Sequence, residues 1–178
     1  MSVAEIEIRR LAQENAGDAA LYRGIRLEAL RANSEAFGSA FETENAHDLS
    51  WFVDRLGSST VLGAFLDSEL VGIVGFAIQQ GQKRAHKGLL WGMYVRAGAR
   101  GTGVGRRLIE ALLDLARQHV ELIQLTVVRE NEQARRLYAS LGFVNYGLET
   151  HSLKQDGRYY DEVLMAKDLL GEEKTRSE

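Results

Sequence analysis

The segment that decides the fold spans residues 89–112 and reads LLWGMYVRAGARGTGVGRRLIEAL. Residues 89–95 are apolar, which predicts a buried strand. Residues 96–105 contain four glycines and predict a turn, and from Val104 onward apolar residues recur on one helical face. A strand, a glycine-rich turn and a helix in this order aim backbone N–H groups and the positive helix end at a phosphate group.

Two common phosphate-binding motifs do not fit this segment. A Walker A loop requires Lys and then Ser or Thr after its last glycine, whereas Gly105 is followed by Arg106 and Arg107. A Rossmann fingerprint counted from Gly101 would need glycine where Arg106 stands. The pattern that residues 100–105 do match is R-x-x-G-x-G; the alternative without a ligand is a glycine turn that only caps a helix.

A second patterned segment, residues 131–143, reads NEQARRLYASLGF and follows an apolar strand predicted over residues 122–128. It matches N-x-x-A-x-x-L-Y-x-x-L-G-F at every marked position. The two patterns together resemble the GCN5-related N-acetyltransferases (GNAT), in the family's order along the chain. The resemblance covers residues 62–167 well and the first sixty residues only loosely. It implies an acyl-CoA N-acyltransferase fold and acetyl-CoA as the cosubstrate.

Composition limits the class of protein. The chain has 178 residues, 45% of them hydrophobic and 26% charged, which fits one domain over residues 1–170 followed by a disordered tail over residues 171–178. The net charge of −3 gives no indication of nucleic-acid binding. No cysteine is present, so a thiolate metal site is excluded, and we expect no metal. Without a signal-like N-terminus or an apolar run of 18 residues, we expect a cytoplasmic protein with no membrane partner.

Periodicity and turn residues predict the element order β-α-α-β-β-β-α-β-α-β-β. This is a mixed α/β (α+β) sheet flanked by helices, and the order matches the layout of the family that the motifs resemble. Asn15 or Asp18 is expected to cap the first helix, Asp48 the second and Asn131 the last. Gly142 is expected to end that last helix in a left-handed conformation.

The resemblance also implies which residues bind acetyl-CoA. The strand before the loop would offer its main chain to the pantetheine arm, and backbone amides of the loop would hold the pyrophosphate with help from Arg100. Asn131 would cap its helix and also bond to the arm. The implied cofactor-binding residues are Met93, Tyr94, Val95, Arg100, Gly101, Thr102, Gly103, Val104, Gly105, Asn131 and Tyr138.

The resemblance implies that Tyr138 protonates the leaving thiolate, and a phenol has suitable acidity for that step. The base that deprotonates the acceptor amine is left open. Residues 89–95 contain no carboxylate, and our first choice is His86, which titrates in the useful range. Relay through water is a further option, and the other candidates from the sequence are Glu42, Glu44, Asp161 and Glu162.

The sequence therefore predicts an acetyl-CoA-dependent N-acetyltransferase that acts directly, in a ternary complex, on a primary amine of a small molecule or a peptide. Two alternatives stay open: a transferase that uses another acyl-CoA, and a non-catalytic CoA-binding sensor or assembly module. Glu42 and Glu44 favour a cationic acceptor. The resemblance implies a possible homodimer through the last two strands.

Overall fold

The computed structural model describes residues 5–15 and 17–171. In this part of the chain the strands are β1 Ile6–Leu11, β2 Thr60–Leu66, β3 Glu69–Ile78, β4 Lys87–Val95, β5 Leu122–Val128, β6 Val144–Gln155 and β7 Arg158–Asp168. The helices are α1 Asp18–Ala32, α2 Phe41–Asn45, α3 Leu49–Ser58, α4 Val104–Ala116 and α5 Glu132–Ser140, with 3₁₀ turns at Ser34–Ala36 and Ala97–Ala99. Beyond Gly171, the tail that was predicted to be disordered lies outside the described residues.

The strands form a mixed sheet in the order β1-β2-β3-β4-β5-β7-β6. Pairing is antiparallel between β1 and β2, β2 and β3, β5 and β7, and β6 and β7. It is parallel between β4 and β5, where Lys87 lies opposite Leu122. The predicted mixed sheet with flanking helices is thus confirmed. The predicted order lacks only α2, because a helix of five residues is too short to produce a periodic pattern.

The chain divides into two compact units, and the predicted single domain stays a prediction. Within the described residues the first unit comprises residues 5–76 and 92–112. Tyr22 of α1 meets Phe52 of α3 edge to face, with ring centroids 6.0 Å apart. Gly72 of β3 permits a close approach, since a Cβ there would lie 2.9 Å from Leu108 Cδ1 of α4. The largest fully buried side chains of this unit are Leu11, Tyr22, Ile25, Leu30, Phe52, Leu56, Ile73, Leu108, Ile109 and Leu112.

The second unit comprises residues 77–91 and 113–171. The odd-numbered residues of β5 and β7 share one buried face, which contains Ile123, Leu125, Val127, Val163 and Met165. The β6–β7 hairpin turns at Asp156 and Gly157, both with positive φ. β6 continues past a register shift between Glu149 and Leu153, where His151 has φ 54°.

The helix ends test the predicted capping residues. Asp48 accepts the N–H of Trp51 at 3.3 Å, and Asn131 accepts the N–H of Ala134 at 3.2 Å, which confirms both caps. Gly142 has φ 89°, as expected of a glycine after a helix. The cap predicted for α1 is wrong, since Gly17 holds that position without a side-chain bond.

Asp18 does not cap α1 because its carboxylate has stronger partners elsewhere. Arg9 of β1 donates two hydrogen bonds to it, at 2.8 and 2.9 Å, and the N–H of Ala12 donates a third at 2.9 Å. The bond from Arg9 outweighs the effect of burial and, with the bond from Ala12, lowers the pKa of Asp18. The other predicted cap, Asn15, accepts the N–H of Gly17 instead.

Glu44 of α2 forms a buried ion pair and is not a free carboxylate. Arg26 donates to it from Nε at 2.9 Å and from Nη2 at 2.7 Å, and both side chains are at most 4% exposed. Arg55 of α3 lies 3.9 Å away on the same carboxylate. Two arginines already compensate its charge, so the expectation that Glu44 favours a cationic acceptor is wrong. Glu42 is exposed on the same helix.

Replacing Glu44 with Gln should lower the free energy of unfolding by about 3 kcal/mol at neutral pH, because Arg26 would stay buried with a neutral partner. Burial alone would raise the pKa of Glu44, but the hydrogen bond and charge of Arg26 outweigh it and leave the pKa below its ordinary value. A lowered pKa contributes stability above the unfolded-state pKa of Glu, which is about 4.3, and that contribution is lost as the pH falls through the folded-state value.

Urea unfolding at a series of pH values measures this effect. The difference between the wild type and Glu44→Gln should be constant from about pH 6 to 8 and shrink below about pH 4. Glu42→Gln is the matched control on the same helix and should change stability by less than about 0.5 kcal/mol. Equal stability of Glu44→Gln and the wild type at pH 7 would show that the ion pair is not stabilising.

Candidate active site

The predicted glycine loop lies in the first unit, between β4 and α4. Gly101 and Gly103 have φ values of 77° and 91°, which side-chain-bearing residues rarely adopt. An added Cβ at either position would meet no atom within 4 Å, so conformation and not space requires glycine there. The open surroundings leave room for a ligand against the backbone.

The start of α4 supplies hydrogen-bond donors beside those glycines. The N–H of Arg107 donates to the carbonyl of Gly103 at 3.0 Å, and the amides before it have no partner within the helix by its geometry. Thr102 is tied back into the loop, because its hydroxyl donates to the carbonyl of Ala99 at 2.6 Å. Val104 and Leu108 are buried and anchor the helix. Unpaired amides at a positive helix end suit an anionic group such as a pyrophosphate.

Arg100 is folded back onto the preceding strand. Its Nε donates to the carbonyl of Val95 at 2.9 Å, its Nη2 donates to Asn33 Oδ1 at 3.4 Å, and its guanidinium lies 5.7 Å from the centre of the Tyr94 ring. The side chain therefore fixes the end of β4. Tyr94 is buried while Met93 and Val95 are half-buried, and the binding of a pantetheine arm to this strand stays a prediction.

Arg96 connects the start of the loop to two other elements. Its N–H donates to the carbonyl of Val71 at 2.8 Å, and its guanidinium binds Glu28 of α1 at 2.9 Å and Glu69 of β3 at 2.7 Å. Glu28 also accepts the hydroxyl of Tyr94 at 3.1 Å, and burial followed by this bond raises the pKa of Tyr94. Sequence reasoning missed the pairing of Arg96 with Glu28 and Glu69, because partners far apart in the chain leave no local pattern.

β4 itself is irregular at Gly92, which has φ 61° inside the strand. A Cβ there would lie 3.4 Å from Nη1 of Arg26, the arginine whose other nitrogens bind Glu44. A glycine with positive φ inside a strand interrupts regular pairing and changes the direction of the following residues. The buried ion pair thus packs against the strand that leads to the loop.

In the second unit, α5 carries Asn131 and Tyr138. Asn131 caps the helix through its side chain, and its N–H donates to the carbonyl of Val128 at 2.9 Å. Tyr138 is 5% exposed, and its ring meets Phe143 edge to face at 5.7 Å. Burial strongly raises the pKa of this phenol, so it stays protonated throughout the physiological range. Its hydroxyl donates to no other described residue, which leaves the proton available.

The candidate bases in this unit occupy different environments. His86 is exposed before β4, and its main-chain carbonyl accepts the N–H groups of Glu121 and Leu122; its role as the base stays a prediction. Asp161 accepts the N–H of His151 at 2.9 Å and lies 3.7 Å from Arg129. Glu162 is half-buried and accepts two side-chain hydroxyl groups.

Residues 5–15 and 17–171 offer neither a cluster of metal ligands nor a helix suited to span a membrane. No group of three or more histidine, aspartate or glutamate side chains is arranged to hold a metal ion in these ranges. None of the helices there combines the length and the apolar character that crossing a membrane requires.

The mixed sheet and the glycine loop that opens α4 form the arrangement that the sequence predicts to bind a phosphate-bearing ligand. A model of the acetyltransferase (GNAT) family matches residues 26–143, which is more than half of the chain. The chain therefore belongs to the GNAT acetyltransferase family. This confirms the predicted family and its enzyme class, acetyltransferase.

Two curated relatives support this assignment. L-amino acid N-acetyltransferase AaaT of Escherichia coli is 26% identical over 151 residues, covering 82% of this chain and 91% of the relative. N-alpha-acetyltransferase RimI of Mycobacterium tuberculosis is 40% identical over 68 residues, covering 38% of this chain and 40% of the relative.

Solved structures show the same fold. A GNAT acetyltransferase from Streptococcus pneumoniae aligns with a TM-score of 0.80 at 23% identity, covering 92% of this chain and 99% of the other. The putative acetyltransferase yncA from Salmonella typhimurium, solved with its cofactor acetyl-CoA, aligns with a TM-score of 0.76 at 22% identity, covering 93% and 95%.

Replacing Gly103 with Ala should destabilise the protein by about 1–2 kcal/mol, because an L-residue is strained at φ 91° even where space is open. Gly98→Ala is the matched control. Gly98 lies in the same loop with equally open surroundings but is not left-handed, so its replacement should be neutral. Thermal unfolding of both variants checks this, and equal melting temperatures would contradict the requirement for glycine at position 103.

Proposed function

We propose that this protein is an acetyl-CoA-dependent N-acetyltransferase that passes the acetyl group directly to a primary amine of a small molecule or a peptide. The observation that carries the proposal is the loop of residues 100–105, in which two left-handed glycines lead into the first turn of α4. The names of AaaT and RimI support an amino group as the acceptor.

The residues of the loop fit the pyrophosphate of a CoA molecule. Nothing lies within 4 Å of where a Cβ would stand at Gly101 or Gly103, so an anion can approach the main chain closely. The amides of the first turn of α4 would donate to it, and the exposed Arg106 and Arg107 add positive charge. Acetyl-CoA would supply the acetyl group as a thioester.

The composition and Tyr138 support direct transfer. Without cysteine, no acetyl-cysteine can form on the protein, and a ternary complex is the simpler route. Tyr138 would donate its phenol proton to the leaving thiolate, since the phenol is in its protonated form at neutral pH. His86 is a candidate for the base that deprotonates the acceptor amine.

Calorimetric titration with acetyl-CoA tests the donor. Acetyl-CoA and desulfo-CoA should bind the wild type with similar affinity, and ATP should bind far more weakly, because it lacks the pantetheine arm. Gly103→Ala should weaken acetyl-CoA binding about tenfold, because its Cβ would occupy the open space through which the anion approaches the main chain, and Gly98→Ala should not. A wild type that binds no CoA species would contradict the proposal and leave the loop as a helix cap.

Tyr138→Phe tests the acid. The variant should lower kcat about 100-fold and change the Kd of acetyl-CoA less than about threefold, since one proton donor is lost and the ring is kept. The rate is read from CoA thiol release with an amine that the wild type acetylates. Tyr159→Phe, at a tyrosine that is 49% exposed, is the matched control and should leave both values unchanged. An unchanged kcat in Tyr138→Phe would remove this residue from the mechanism, and tight CoA binding without turnover of any amine would favour the non-catalytic alternative.

A further inference from the structure

Three strands of the second unit place hydroxyl groups around one carboxylate. Glu162 of β7 accepts the hydroxyl of Thr126 on β5 at 3.0 Å through Oε1, and the hydroxyl of Ser152 on β6 at 2.6 Å through Oε2. Each carboxylate oxygen keeps a free lone pair after accepting one such bond. The two hydroxyl groups therefore orient Glu162 without neutralising it.

The other carboxylates that the sequence offered as bases either bind other groups of the protein or lie exposed on a short helix. Glu44 is buried against Arg26, and Asp161 accepts a backbone N–H and lies beside Arg129. Glu42 is exposed on the short helix α2. Glu162 differs from them, since it is half-buried, fixed by side chains from two neighbouring strands and in no ion pair with a described residue.

Glu162 also lies at the end of β5 that leads to α5. In the register of the sheet it stands opposite Val128, whose carbonyl accepts the N–H of Asn131, the residue that caps α5. α5 carries Tyr138, the proposed proton donor. One short stretch of chain thus links the strand beside Glu162 to the helix that carries the acid.

The charges around Glu162 favour a cation. Its partner on β6 is Glu149, so two carboxylates stand opposite each other on neighbouring strands, an unfavourable arrangement that a cation relieves. The other titratable groups nearby are His151 on β6, Tyr160 and Asp161 on β7, and Arg129 directly after β5. The guanidinium of Arg129 lies 3.7 Å from Asp161, whose carboxylate offsets its charge. The ammonium form of a primary amine fits this setting.

We propose that Glu162 is the residue that takes the proton from the acceptor ammonium; the inference rests on the proposed function. An N–H bond breaks and an O–H bond forms on Glu162. The freed nitrogen lone pair forms the C–N bond to the acetyl carbonyl as the C–S bond breaks, and Tyr138 protonates the sulfur. Of the two protons that nitrogen loses, one passes through Glu162 to solvent and the other replaces the proton that Tyr138 gave.

The pH dependence of Glu162→Gln tests the proposal. Wild-type, Glu162→Gln and His86→Gln proteins are assayed for CoA thiol release from pH 6.5 to 9 with l-leucine, l-leucinamide and 1,4-diaminobutane. At pH 7, kcat/KM of Glu162→Gln should be about 100-fold below the wild type. The ratio of the kcat/KM of the wild type to that of the variant should fall by about tenfold per pH unit. The variant acts only on amine molecules that have already lost a proton to solvent, and their fraction rises with pH.

Controls separate catalysis from structure. Glu121→Gln removes an exposed carboxylate just before β5 and should match the wild type at every pH. Thr126→Val removes one of the two orienting hydroxyl groups and should give a smaller deficit than Glu162→Gln with the same pH trend. Circular dichroism of each variant verifies the fold.

Each outcome decides between the proposals. A loss of activity in Glu162→Gln that is equal at all pH values would mean a structural role and overturn the inference. A pH-dependent loss of activity in His86→Gln, with no loss in Glu162→Gln, would also overturn it. A wild type that acetylates none of the three amines while binding acetyl-CoA would overturn both the inference and the proposed function. If the wild type acetylates an amine and Glu162→Gln acetylates it equally fast, the inference is overturned and the proposed function is not.

Discussion

The candidate site depends on one backbone constraint, the left-handed conformation of Gly101 and Gly103 between β4 and α4. A residue with a Cβ would be strained there by about 1–2 kcal/mol at each position. Arg96 fixes where this turn begins, since its main chain and its guanidinium hold Val71 and Glu28. The amides at the start of α4 can be presented to a ligand only because both ends of the turn are held.

Ion pairs decide which charged residues remain available for chemistry. Arg9 binds Asp18, and this bond outweighs the effect of burial on the pKa of Asp18. At Glu44 burial is the largest single effect, but the bond and charge of Arg26 together with Arg55 and Ser39 lower the pKa. Such carboxylates hold elements together and are poorly placed to exchange protons with a substrate. Glu162 has hydroxyl partners instead, which orient it and leave its charge uncompensated.

The features that were predicted correctly are those that leave a local pattern in the sequence. The Asn131 cap joins residues three positions apart, and the turn at Gly142 needs only one residue with positive φ. Pairs such as Glu28 with Arg96, or Thr126 with Glu162, join residues 68 and 36 positions apart and leave no such pattern. The cap expected at Asp18 failed for the same reason, because Arg9 on another element competes for it.

The proposed acid Tyr138 and the proposed base Glu162 have opposed environments. The phenol is enclosed by apolar groups, which raise its pKa and keep it protonated. The carboxylate lies half-exposed among hydroxyl groups and faces another carboxylate, so it attracts the cation that must lose a proton. In the proposed reaction, a donor that stays neutral and an acceptor that meets a cation allow both proton transfers near pH 7.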